Sequence, residues 1–102
     1  MAKVKILNID QISNGEMKQV TIDNLNYLVA KIDGKIYIAS DLCTHEDAEL
    51  TMGCLDGTRV KCPLHGSYFD LSTGKPINEP AEEPITIYSP LIEDGVIYIS
   101  EK

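Results

Sequence analysis

The sequence predicts an all-β fold of antiparallel strands. Three observations carry that expectation: short runs of alternating apolar and polar residues, turn dipeptides placed between them, and an abundance of strand-forming and helix-breaking residues. The first run, Lys3 to Ile9, alternates lysines with Val4 and Ile6. Gln19 to Ile22, Asn26 to Ile32 and Lys35 to Ser40 follow, with Val, Ile and Tyr at positions suited to one buried face. Thr58 to Lys61 and Ser67 to Asp70 are shorter, and Ile85 to Tyr88 and Val96 to Ser100 close the chain. Asp33-Gly34 and Asp94-Gly95 separate runs at hairpin spacing, and Asn14-Gly15 and Asp56-Gly57 are further reversals. Such dipeptides accept positive φ cheaply.

A chain of 102 residues makes one small domain. At 43% hydrophobic and 25% charged it has an ordinary globular composition. No apolar run is long enough to span a bilayer, and the first residues lack the features of a secretory leader, so the expected location is the cytoplasm. The net charge of -7 argues against nucleic acid or an anionic membrane as partner and favours docking on a basic patch of another protein. Three cysteines cannot all pair, and two already have metal-binding spacing, which argues against a disulfide framework.

Both histidines and two of the three cysteines fall in one pattern: Cys43-Thr44-His45, then sixteen residues, then Cys62-Pro63-Leu64-His65. Two thiolates and two imidazoles could hold zinc, but structural zinc modules usually pair like ligands within each segment. Here each segment supplies one of each. That suits a two-iron centre in which one iron takes two thiolates and the other two imidazoles.

The residues around the pattern sharpen it. Cys43-Thr44-His45, Cys62-Pro63-Leu64-His65-Gly66-Ser67 and Ser72-Thr73-Gly74-Lys75 resemble the two ligand loops and following turn of the Rieske ferredoxins. Pro76, Pro80 and Pro84, leading into Ile85-Thr86-Ile87-Tyr88, resemble that family's proline-rich loop and closing strand. The resemblance runs from about Val29 to Ile99. It implies one [2Fe–2S] cluster, with Cys43 and Cys62 on the buried iron and His45 and His65 on the outer one, where electrons enter and leave. It also implies a Rieske-type β-sandwich, with a base formed by 1–40 and 77–102 and a smaller cluster-binding insertion at 41–76, all within one domain spanning 1–102.

Other residues near the ligands have expected roles. Gly66 would let backbone approach the cluster, and Pro63 would stiffen the turn after Cys62. The Rieske proteins of respiratory and photosynthetic complexes carry an extra cysteine in each loop, forming a disulfide; Ala48 and Leu64 stand in those places here. Those proteins also use a serine two residues after the second histidine and a tyrosine two further on. This chain keeps Ser67 but has Phe69 at the tyrosine's place, with Tyr68 displaced by one and expected to point the other way. Cys54 is left over, either a redox-active thiol or, the reading preferred here, a small structural hydrophobe. Glu46, Asp47 and Glu49 form either a solvated turn or an acidic rim that guides docking.

The resemblance implies a soluble one-electron carrier, passing electrons from a flavin-dependent reductase to a terminal oxygenase. The chain itself is not expected to be an enzyme, since no histidine remains to build a mononuclear iron site. Two alternatives stand beside it: a Rieske-like small subunit of a larger reductase such as nitrite reductase, and a zinc-binding interaction module.

Overall fold

A computed structural model of the chain describes residues 3–41, 49–63, 67–77 and 83–100. Ten strands run through them: β1 (Lys3–Asn8), β2 (Glu16–Ile22), β3 (Leu25–Ile32), β4 (Lys35–Ser40), β5 (Cys54–Asp56), β6 (Arg59–Lys61), β7 (Tyr68–Asp70), β8 (Ile87–Tyr88), β9 (Pro90–Glu93) and β10 (Val96–Ser100). They pair antiparallel in three sheets, ordered β2-β3-β4-β8, β1-β10-β9 and β5-β6-β7. The all-β expectation holds. Among the described residues no helix is long and apolar enough to cross a membrane.

The four-stranded sheet lies in the middle, because its two faces belong to two different cores. Tyr27 and Val29 of β3 pack with Ile36 and Ile38 of β4, Ile6 and Leu7 of β1, and Ile97 and Ile99 of β10. Leu28, Ala30 and Ala39, on the opposite face, pack with Leu50, Val60, Cys62, Phe69, Leu71 and Ile85. This explains the sequence of β3, whose four residues Tyr27 to Ala30 are all buried: a strand covered on both sides needs no polar face. The three short strands thus rest on one side of the central sheet and the three-stranded sheet on the other.

Local chemistry sets the reversals. Asp33 and Gly34 have φ of 50° and 81°, and Asp94 and Gly95 have 52° and 76°. Two successive positive φ values give the primed turn whose twist matches the flanking strands. Asp23 and Asn24 form another such pair, at 51° and 68°, joining β2 to β3. The sequence reading singled out no turn there, although Asp and Asn tolerate this region best after glycine.

Several strands depart from strict alternation. In β1 the register shifts between Lys5 and Leu7, so Ile6 and Leu7 are buried in succession. Such a bulge lets two neighbouring residues face one core. β5 was not anticipated, and β9 is the first strand of the hairpin expected at Asp94-Gly95. β9 begins at Pro90 and lies at a sheet edge, the position where a missing N–H costs no ladder bond. The expected strand at Ile85 is shorter than its apolar run: β8 covers only Ile87–Tyr88, while the Ile85 N–H donates to the Gly74 carbonyl at 2.9 Å.

Candidate metal centre

Cys43, His45, His65 and Gly66 lie outside the described residues, as do Ala48, Leu64, Glu46, Asp47 and residues 78–82. The structure does describe Cys62, Ser67 and the frame that holds both ligand segments. The second segment lies in the sequence between the paired strands β6 and β7. β6 and β7 pair through Lys61 and Tyr68, and the Cys62 N–H donates to the Ser67 carbonyl at 2.7 Å, extending the ladder one step. Cys62 and Ser67, on either side of the second segment, are therefore clamped together. Cys62 and Ser67 are both 1% exposed, whereas Pro63 between them is exposed.

Burial follows from alternation on the two strands. Val60 and Phe69 are opposite each other and fully buried, facing the central sheet. Cys62 continues that inward row and joins the same core. Tyr68 turns outward, where Arg59 and Lys61 lie 5.9 and 5.8 Å from its ring centroid. The expectation that Phe69 and Tyr68 point to opposite sides therefore holds. Cys54 does not take its expected place: it is exposed on β5, across from Lys61, while Leu55 takes the inward position. Alternation leaves Cys54 and Asp56 together on the outward face of β5.

After the hairpin, Asp70 organises the next turn. Its carboxylate accepts from the Ser72 hydroxyl at 2.6 Å and the Ser72 N–H at 2.8 Å. The Ser72 hydroxyl, then its backbone N–H, hold the Asp70 carboxyl below the usual carboxylate range. Gly74 follows with φ of 84°, packed against the Ile85 backbone. The Ile77 N–H returns to the Tyr68 carbonyl at 2.8 Å, and Pro76 bridges Phe69.

The first segment leaves β4 at Asp41 and returns at Glu49, which is exposed and precedes a short 3₁₀ turn, Leu50–Met52. Asp41 is 2% exposed. Its N–H donates to the Asn26 carbonyl at 3.1 Å. Its carboxylate accepts from Gln19 Nε2 at 2.7 Å, Thr51 N–H at 2.8 Å and Thr51 Oγ1 at 2.6 Å. Beyond this turn, Gly53 lies against the Lys61 carbonyl, so the exit of the first segment touches the residue before Cys62. The sequence reading assigned nothing to Asp41 or Gly53. The signal available for Asp41 was its place at the end of an apolar strand, two residues before a ligand cysteine.

These residues fit an iron–sulfur group. A fully buried thiol at the end of β6 is the donor a cluster needs on its protected side, and burial is one of the levers on its potential. Cys43, His45 and His65 would complete the donor set from the two segments that Asp41 and Ser67 adjoin.

The Rieske [2Fe-2S] domain family model matches residues 2–89. A ferredoxin component of the naphthalene 1,2-dioxygenase system from Pseudomonas putida is 32% identical over 89% of this chain and 88% of its own. A ferredoxin of Sphingomonas yanoikuyae B1 superposes with a TM-score of 0.94 at 34% identity, covering 99% of this chain and all of the other. The ferredoxin seen in a complex of reduced oxygenase and oxidised ferredoxin in carbazole 1,9a-dioxygenase superposes with a TM-score of 0.91 at 27% identity, over 96% of this chain and 92% of that one.

Proposed function

The chain belongs to the Rieske [2Fe–2S] domain family, and from that premise we propose that it is a one-electron carrier between a flavin-dependent reductase and a terminal oxygenase. The single observation that carries the reading beyond family membership is the burial of the Cys62 thiol at the end of β6, closed against Ser67. In this reading Cys43, His45, Cys62 and His65 are the four ligands, with Gly66 and Ser67 next to them. The bound cluster supplies a one-electron couple tuned by imidazole ligation, charge and hydrogen bonding.

The protein's own residues hold and tune that site. Val60, Phe69 and Leu50 exclude water from the Cys62 side. The Cys62 N–H bond to the Ser67 carbonyl ties the two ends of β6 and β7 together beside the second segment. The naming of the Pseudomonas putida relative as a ferredoxin component, and the oxygenase complex of the carbazole system, support a carrier that docks on an oxygenase and performs no catalysis itself. The whole chain acts as one domain in this reading, with a base of 1–40 and 77–102, a cluster-binding insertion at 41–76, and a cytoplasmic location.

The test is direct. The isolated protein is expected to contain two irons and two acid-labile sulfides and, when reduced, to give the low-average-g resonance of a Rieske centre. His65→Ala is expected to abolish that resonance, because the histidine-bound iron loses one of its two imidazoles. A wild-type chain holding one zinc and no sulfide would overturn the reading.

A further inference from the structure

Among the described residues the buried polar side chains are Asp41 and Ser67, and each adjoins a ligand segment. Ser67 ends the second; Asp41 begins the first. We propose that Asp41 is a positioning residue that sets the first ligand segment against the second. The inference rests on the ligand assignment above.

The geometry runs through one carboxylate. Asp41 stands two residues before Cys43, so chain length alone keeps their Cα atoms within about 7 Å. Its N–H is held by the Asn26 carbonyl at the start of β3, and Gln19 on β2 grips Oδ2, which anchors the segment's entrance to the central sheet. Thr51 grips the same carboxylate twice, through its N–H and its hydroxyl. Thr51 lies on the far side of the segment, so entrance and exit close on a single side chain. From there the contact passes on. Leu50 is fully buried in the core that contains Cys62, and Gly53 abuts the Lys61 carbonyl. Moving Thr51 away from Asp41 would therefore change the spacing between the first segment and Cys62.

A buried carboxylate accepting three hydrogen bonds is costly to leave partly satisfied, so it persists where it fixes a geometry. Hydrogen bonds to a charged acceptor are also the stronger kind. An apolar residue at position 41 could cover the same core without holding Gln19 and Thr51 together.

The test compares cluster retention with stability in the intact holoprotein. Asp41→Ala, Asp41→Asn and Thr51→Val are prepared beside Ile97→Ala, which hollows the other core on the far side of the central sheet. Iron release to a chelator, the width of the reduced-state resonance and the melting temperature are measured for each. Asp41→Ala is expected to release iron roughly ten-fold faster or more, equivalent to about 1.4 kcal/mol in the barrier, and to broaden the resonance. Asp41→Asn is expected to recover part of the loss, since its amide oxygen can still accept from Thr51 and its NH₂ can donate to a flipped Gln19. Ile97→Ala is expected to melt earlier yet keep the wild-type release rate and line width. If Asp41→Ala does not fold, Thr51→Val reports the same clamp through the loss of one donor. Release rates and line widths that track melting temperature alone across all variants would overturn the proposal. Failure of the ligand assignment would show separately, as a wild-type protein without a cluster.

Discussion

Gly53→Ala tests whether the two ligand segments are held by close backbone approach. A Cβ at position 53 would fall inside the contact distance of the Lys61 carbonyl oxygen, 3.0 Å from the Lys61 carbonyl carbon and 3.3 Å from the Leu50 carbonyl oxygen. Ordinary contact begins at 3.4 Å, and every obstacle is backbone, so no side chain can swing aside. The φ of Gly53 is -89°, so the penalty is steric and owes nothing to a left-handed conformation. Relief requires β5 and β6 to part where Cys54 pairs with Lys61, immediately before Cys62. Overpacking that cannot relax through side chains costs about 2–3 kcal/mol. For a domain of this size that lowers the melting temperature by roughly 10–20 °C. The comparison is Gly95→Ala, at a φ of 76° with its nearest atom, Ile9 Cγ2, 3.9 Å away. That change meets left-handed strain without a clash, about 1–2 kcal/mol, in a hairpin of the base. Thermal unfolding and iron content of both variants decide the matter. Gly53→Ala should lose more stability and also lose iron, while Gly95→Ala keeps its iron. Equal losses, with full iron in both, would refute the argument that the Gly53–Lys61 contact registers the site.

The remaining predictions concern Ser67 and Asp70. Ser67→Ala is expected to lower the reduction potential by roughly 40 mV with iron content unchanged, because a hydroxyl bond to the cluster worth about 1 kcal/mol more in the reduced state favours reduction; protein-film voltammetry showing no shift would mean that the hydroxyl serves only the loop. Asp70 has a folded-state pKa below its unfolded value, so its stabilising contribution is present above the unfolded carboxyl pKa of about 3.9 and disappears as pH falls through the folded one. Asp70→Asn should therefore flatten the acid limb of the stability curve below roughly pH 4, an effect kept small by solvent around the turn, and equal acid limbs in urea titrations would sink the assignment.

What the sequence revealed depended on how local each cause was. The candidate ligands were legible because their chemistry is written in short spacings, and because both histidines of the chain fall within them. The hairpins were legible at Asp33-Gly34 and Asp94-Gly95 because positive φ at two successive positions has few sequence solutions. β4 and β10 were legible to the residue from their alternating or β-branched runs. Misreadings arose where the deciding neighbour is distant. Tyr27 to Ala30 are buried on both faces because a third sheet covers the second face, a fact carried by residues some thirty positions later. Cys54 was expected inside, yet a strand of three residues offers too short a pattern to tell its faces apart, and Leu55 claims the inward place. Asp41 is the instructive case. A carboxylate at the end of a strand reads as solvated unless its donors are known, and here they come from Gln19, twenty-two residues earlier, and Thr51, ten later. The candidate ligands stand out as an isolated motif, whereas the Asp41 clamp proposed to space their two segments arises only when β2, β4 and the turn at Leu50–Met52 meet. Substitutions outside the motif that loosen this meeting should therefore weaken retention of the centre while leaving the recognisable pattern intact.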